Sequence, residues 1–205
     1  MRRMWLQRFL FIAGLAAMGG AGLAQAQTDV ALSLYGAFSG TTNANGTVQS
    51  PAASAGGMIE LRHIRNPLIG YEATYSYNRA NQVYRSNCGG ITCTSIEPVA
   101  VSANAHEISG DWIASLHIAN LRPFALVGVG ALFNQPTSGQ SDTSSDTKAV
   151  FLYGAGLDLG LIPHIGLRFQ YRGNLYKAPN LSQLFTSTDA FTHTSEPMIG
   201  AYFRF

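Results

Sequence analysis

The sequence predicts an all-β protein, an eight-stranded antiparallel up-and-down transmembrane β-barrel, and three observations carry that prediction. The chain ends in Met198-Ile199-Gly200-Ala201-Tyr202-Phe203-Arg204-Phe205, in which Ile199, Ala201, Phe203 and Phe205 alternate with Gly200, Tyr202 and Arg204. Period-two alternation puts the two sets on opposite faces of a strand. A frayed terminus in water cannot bury such aromatics, whereas a membrane interface receives them. Charged residues make up only 12% of the chain, about half the ~25% of an average globular domain. No segment after residue 26 has the about 18 uninterrupted apolar residues that a helical span requires. Low charge without a spanning helix suits a closed barrel, in which every backbone donor is paired within the wall.

Residues 1–26 read as a cleaved secretory signal peptide. Arg2, Arg3 and Arg8 precede an apolar run from Phe9 to Leu23, and Ala24-Gln25-Ala26 supplies a small-x-small cleavage site. The barrel domain is then expected over 27–205, with no linker or change of composition inside it. Removing the three leader Arg leaves 10 basic residues against 11 acidic ones, so the pI of 8.6 is no argument for a nucleic-acid partner.

Eight stretches alternate in the remainder. The first, Asp29 to Ser39, sets Val30, Leu32, Leu34 and Phe38 on one face; the second, Gly56 to Ile64, sets Ile59 and Leu61 against Glu60 and Arg62. In the third, Leu68 to Asn78, Ile69, Tyr71, Ala73, Tyr75 and Tyr77 oppose Gly70, Glu72, Thr74 and Ser76. The fourth, Ala103 to Leu116, opposes Ile108, Trp112 and Ala114 to Glu107, Ser109 and Asp111. The fifth, Arg122 to Phe133, turns Ala125, Val127, Val129, Ala131 and Phe133 outward, although Phe124 and Leu126 break the polar-inside rule. The sixth, Ala149 to Leu161, and the seventh, Ile165 to Gly173, set their aromatics and Leu residues against Asp158 and against Arg168, Gln170 and Arg172. The eighth starts near His193 and ends the chain.

Each stretch has about the nine to eleven residues of a tilted membrane-spanning strand. Short turns at Arg65-Asn66-Pro67, His117 to Leu121 and Ile162-Pro163-His164 alternate with long polar connections at Thr41–Ala55, Ala80–Val101, Asn134–Lys148 and Asn174–Thr192. Short turns on one side and long loops on the other is the outer-membrane pattern, the long loops being extracellular. A soluble, calycin-like eight-stranded barrel is the alternative fold, with its apolar face turned inward.

On the membrane reading Glu60, Arg62, Glu72, Glu107, Asp111, Arg122, Asp158, Arg168, Arg172, Glu196 and Arg204 point into the lumen. An eight-stranded barrel is only wide enough for side chains. The six acids and five bases are therefore expected to pair as a plug, since an unpaired charge there is costly. A gated ion path through the same network is the second reading. Glycines such as Gly128, Gly130, Gly154 and Gly156 are expected to make room inside for Arg and Tyr side chains.

Cys88 and Cys93 lie in the second long loop with Gly89-Gly90 between them, and in an exported chain are expected to form a disulfide. The five His have no metal-ligand spacing, so neither metal nor cofactor is expected. His193-Thr194-Ser195 is similar to the His-x-Ser of outer-membrane lipid A deacylases. Glu196 after it points to the opposite face, so no acid orients the His, and Pro197 interrupts the strand; the protein is read as no enzyme.

The chain resembles the OmpA/OmpX-like outer-membrane barrel family of small surface antigens. The resemblance rests on the leader, the eight alternating stretches, the run Pro123-Phe-Ala-Leu-Val-Gly-Val-Gly-Ala131 and the terminal Phe205. Gly200, Phe203 and Phe205 resemble the assembly signal that such barrels carry on their last strand. The family implies a structural or surface-interaction protein of the bacterial outer membrane, monomeric, in contact with lipid and handled by the barrel-assembly machinery. Any extracellular ligand bound by the loops is not identified by these patterns.

Overall fold

Period-two alternation of apolar and polar residues becomes a closed wall in the computed structural model, which describes residues 26–66, 68–87, 97–137 and 141–205. The expected signal peptide, apart from Ala26, and the Cys88–Cys93 pair lie outside the described residues. Among the described residues there are ten strands: β1 Gln27–Ser39, β2 Thr42–Ala44, β3 Thr47–Pro51, β4 Ser54–Asn66, β5 Ile69–Ser86, β6 Val99–Ser115, β7 Leu121–Pro136, β8 Asp146–Ile162, β9 Ile165–Lys177 and β10 Phe191–Arg204. Eight of them form the ring β1-β10-β9-β8-β7-β6-β5-β4, all antiparallel, and β4 returns to β1. The closing seam runs from Asp29 opposite Arg204 to Ser39 opposite Thr194. Its ladder lapses where β10 carries Pro197, which has no N–H to give.

The two faces sort cleanly. Leu32, Leu34, Ile59, Tyr71, Ile108, Val129, Phe169 and Ile199 are exposed on the outer wall, while the Glu, Asp and Arg residues alternating with them are buried inside. A soluble barrel has the opposite polarity, so the calycin-like alternative falls. Phe124 and Leu126, the two residues that break the inward polar pattern, do lie inside, packed with Ile113. Two close approaches explain why glycine is needed. A Cβ on Gly156 would meet the Phe124 ring, and one on Gly128 would meet the Asp111 carboxylate, so here the room is made for a ring and an acid.

The ends differ. At the short-turn end, the Asn66 side chain accepts from the N–H groups of Leu68 and Ile69 at 3.0 and 2.9 Å, an Asx turn that reverses the chain. At the other end the strands run on past the expected boundaries. β5 continues to Ser86, and the connection expected to be an open loop over Thr41–Ala55 folds as the hairpin β2–β3, which pairs with the β5 extension. Asn45 and Gly46, with φ of 53° and 73°, make its two-residue turn, the geometry that an Asn-Gly pair favours.

The segment 178–190, between β9 and β10, crosses the mouth to the opposite side of the ring. Leu181 and Phe185 pack there against Tyr84 of β5 and Val101 and Ala103 of β6. Tyr84 donates its hydroxyl to the Pro179 carbonyl (2.9 Å) and accepts from the Leu181 N–H (3.0 Å). Gln49 of the hairpin donates to the same carbonyl at 2.9 Å. The long-loop end is therefore capped by its own chain.

Candidate functional site: the charged lumen

The buried charges form two layers. In the layer nearer the short turns, Arg168 is the hub: Nε meets Asp158 Oδ1 at 2.8 Å, Nη1 meets Glu60 Oε2 at 2.7 Å and Nη2 meets Asp29 Oδ1 at 2.8 Å. Arg122 Nη2 reaches Asp29 Oδ2 and Asp158 Oδ2, both at 2.7 Å. Arg62 contacts Glu72 at 2.6 Å and Asp158 at 3.3 Å. Ser33 donates to the free oxygen of Glu60 at 2.5 Å. The Arg62 guanidinium lies 4.0 Å from the centre of the Phe124 ring, a cation–π contact between two buried groups. Arg168 stands 5.7 Å from the same ring and 5.6 Å from that of Tyr202. These ion pairs tie β1, β4, β5, β7, β8 and β9 together across the lumen.

The layer nearer the long loops is built on Arg172. Its Nη2 is 3.6 Å from Glu107 Oε1 and 3.8 Å from Asp111 Oδ2, longer than any direct hydrogen bond. Its donors go instead to neutral atoms: Nη2 to Ser109 Oγ at 3.1 Å, Nη1 to Thr74 Oγ1 at 3.3 Å and to Met58 Sδ at 3.0 Å. Asn174 donates to Glu107 Oε2 at 3.1 Å. Glu196 has no ion pair among the described residues, and its Oε2 is buried without a hydrogen-bond partner. Above this layer, beneath the capped mouth, is a cavity of about 40 Å³ lined in part by Tyr35, Glu107, Asn134, Asn174, Tyr176 and Glu196.

Of the residues expected in the lumen, Glu60, Arg62, Glu72, Glu107, Asp111, Arg122, Asp158, Arg168, Arg172 and Glu196 are buried there. Arg204 is not. It sits half-buried at the short-turn rim, its Nη2 3.3 Å from the Tyr202 hydroxyl. Asp29, opposite it in the seam, has both oxygens taken by Arg168 and Arg122. Asp29 itself was absent from the expected set. Counting Asp29, Ser33 and Tyr35 in twos along the first stretch would have found it.

Gly200 lies against Ser33 in the seam, and Phe203 and Phe205 face outward at the short-turn rim with ring centres 5.2 Å apart in edge contact. On the outer wall toward the long loops, His193 hydrogen bonds Tyr153 (2.9 Å) and Ser195 hydrogen bonds Tyr171 (3.0 Å). Each member of the His-x-Ser pair is thus engaged by a tyrosine. A hydrolytic dyad instead needs the base bonded to the nucleophile.

A closed eight-stranded antiparallel wall, apolar outside and filled with paired charge inside, defines the class: the chain has the fold of the small outer-membrane β-barrels of the OmpA/OmpX type. Among solved structures it is similar to the outer-membrane protein OprG of Pseudomonas aeruginosa (TM-score 0.59, 10% identity, 89% of this chain and 97% of that one). It is similar also to Neisserial surface protein A (0.56, 14%, 88% and 99%). A third is Ail, the attachment invasion locus protein of Yersinia pestis, in complex with the heparin analogue sucrose octasulfate (0.53, 16%, 88% and 99%). No protein-family model matches the sequence, and no curated protein matches it significantly.

Proposed function

We propose that this chain is a monomeric, non-enzymatic barrel of a bacterial outer membrane, sealed by its lumen charges, whose specificity lies in its long extracellular loops. The observation that carries this reading is the Arg168 layer: fully buried guanidinium and carboxylate groups meet at 2.6–2.8 Å across the lumen. Ions cannot pass without breaking these contacts, and the segment 178–190 adds a second barrier at the mouth. The outward band of Leu, Ile, Val and aromatic residues is the surface lipid would cover.

Carrying the heparin-analogue contact of Ail over to this chain finds no support in charge. Along the long-loop end Arg79, Arg85, Lys148 and Lys177 are matched by Glu97, Asp142, Asp146 and Asp189. A loop partner of mixed or neutral surface fits better than a polyanion. Single-channel recording on the folded protein in planar bilayers tests the seal. Silence in the wild type is expected; steady conductance abolished by Arg168→Gln and Arg172→Gln would replace the plug with a channel.

A further inference from the structure

The long-loop half of the lumen carries more negative charge than its side chains neutralise. Glu107, Asp111 and Glu196 are there with a single guanidinium, Arg172, whose hydrogen bonds go to Ser109, Thr74 and Met58. Four polar groups of this region lack hydrogen-bond partners while being at least nine-tenths buried: Glu107 Oε1, whose ion pair with Arg172 is 3.6 Å long, Glu196 Oε2, Asn174 Oδ1 and Asn134 Nδ2. All four side chains line the cavity of about 40 Å³. Asn174 donates its Nδ2 to Glu107 Oε2, and its own carbonyl oxygen is left without a hydrogen-bond partner. Buried oxygens of this kind call for a compensating partner.

We propose that the long-loop half of the lumen binds one hard divalent cation, of the calcium class, between the carboxylates of Glu107 and Glu196 and the amide oxygen of Asn174. The donor set is all oxygen, and among the described residues no His or Cys lines the cavity, which selects hard cations over zinc or copper. Among the described residues no three His, Cys, Asp or Glu side chains converge as a ready metal site, so the shell is completed by amide oxygen and water. The cavity has room for an ion with its water. Calcium tolerates ligands arriving irregularly from β6, β9 and β10, whereas magnesium demands an octahedron. Its two charges offset the excess left when Arg172 is set against three acids.

Tyr35 and Tyr176 line the same cavity and supply a built-in probe. Folded protein in detergent, stripped with chelator, is titrated with terbium under tyrosine excitation and then competed with calcium. One saturable site displaced by calcium is expected. Glu196→Gln and Glu107→Gln should each weaken it at least about tenfold, whereas Asp142→Asn and Asp189→Asn on the surface leave it unchanged. If either Gln variant fails to fold, Asn174→Ala removes the amide oxygen while keeping both acids and should weaken binding likewise. Calcium should also raise the temperature at which the wild-type barrel loses its folded gel mobility. No saturable site, or equal affinity in Glu196→Gln and wild type, overturns the proposal. An unmoved transition temperature does so too, and means a proton shared between the acids compensates them.

Discussion

In the short-turn half of the lumen Arg62, Arg122 and Arg168 share four acids through contacts mostly of 2.6–2.8 Å, while in the long-loop half Arg172 stands 3.6 and 3.8 Å from two acids and Glu196 has no cation at bonding distance among the described residues. The residue types are the same; the geometry is not. A buried charge is expensive to bring out of water, and an ion pair repays that cost only when its hydrogen bonds are complete. The first layer comes close to that condition, only Glu72 Oε1 and Arg62 Nη2 lacking a hydrogen-bond partner, and joins six strands. The second does not, and the cavity lies beside it. Rigid closure and the capacity to take up a ligand are thus divided between two layers of one barrel.

The sharpest way to break the comparison is to remove one hub from each layer. Arg168→Met leaves Asp158, Glu60 and Asp29 each short of a buried partner, and should cost about 3–5 kcal/mol. Arg172→Met removes longer charge contacts and hydrogen bonds to neutral atoms, and should cost about 1–3 kcal/mol. Urea unfolding followed by heat-modifiable gel mobility measures both. Equal losses would mean that the two layers do not differ in the way their distances indicate. Within the tighter layer, Phe124→Leu keeps an apolar side chain but deletes the ring beneath Arg62, with an expected loss of about 1–2 kcal/mol. A neutral result would reduce that ring to filler.

The cap responds to pH rather than to charge removal. Burial under the segment 178–190 pushes the Tyr84 hydroxyl up to about 12 from 10.0. Its neutral form is therefore favoured in the folded cap. That contribution is whole below pH 10 and is lost as pH rises through 12. Hydrogen exchange at the Leu181 N–H should accelerate across that window in the wild type and lack this step in Tyr84→Phe. The phenylalanine variant gives up two hydrogen bonds, so it should already exchange faster at neutral pH.

Much of the wall was legible because a strand side chain has only two directions to choose from. Glu60, Glu72, Asp158 and Arg168 were placed inward by counting in twos, and they lie there. The pairing of Arg168 with Asp29, 139 residues away, depends on how far the sheet shears before it closes, which no local pattern states. The cap was illegible for another reason: Leu181 and Phe185 sit in an aperiodic stretch, and only the opposite wall gives them something to pack on. The β2–β3 hairpin has a local signal in the sequence, since Asn45-Gly46 between two Thr-containing runs is a strong turn pair. Arg204 shows the limit of face counting. It carries the right parity and lines the short-turn mouth with Arg122 and Tyr202, but at the end of the strand it is only half-buried.

The smallest thermodynamic effect belongs to a residue outside both layers. Phe205 is exposed on the short-turn rim, in edge contact with Phe203, and its N–H donates to the Thr28 carbonyl at 2.9 Å across the seam. Replacing it with Glu keeps that backbone bond and puts one charge near the membrane interface, where the cost is about 0–1 kcal/mol against ~2–4 at the midplane. The denaturation midpoint of whatever barrel forms should therefore barely move. The yield should move a great deal, because Gly200, Phe203 and Phe205 are proposed to be what the assembly machinery reads. In outer-membrane preparations the folded fraction of Phe205→Glu should fall several-fold below that of Ser145→Glu, a matching charge on an exposed loop residue. Such a drop with an unchanged midpoint separates recognition during assembly from stability afterwards. Equal folded fractions for the two variants would leave the terminal aromatics as an ordinary interface girdle.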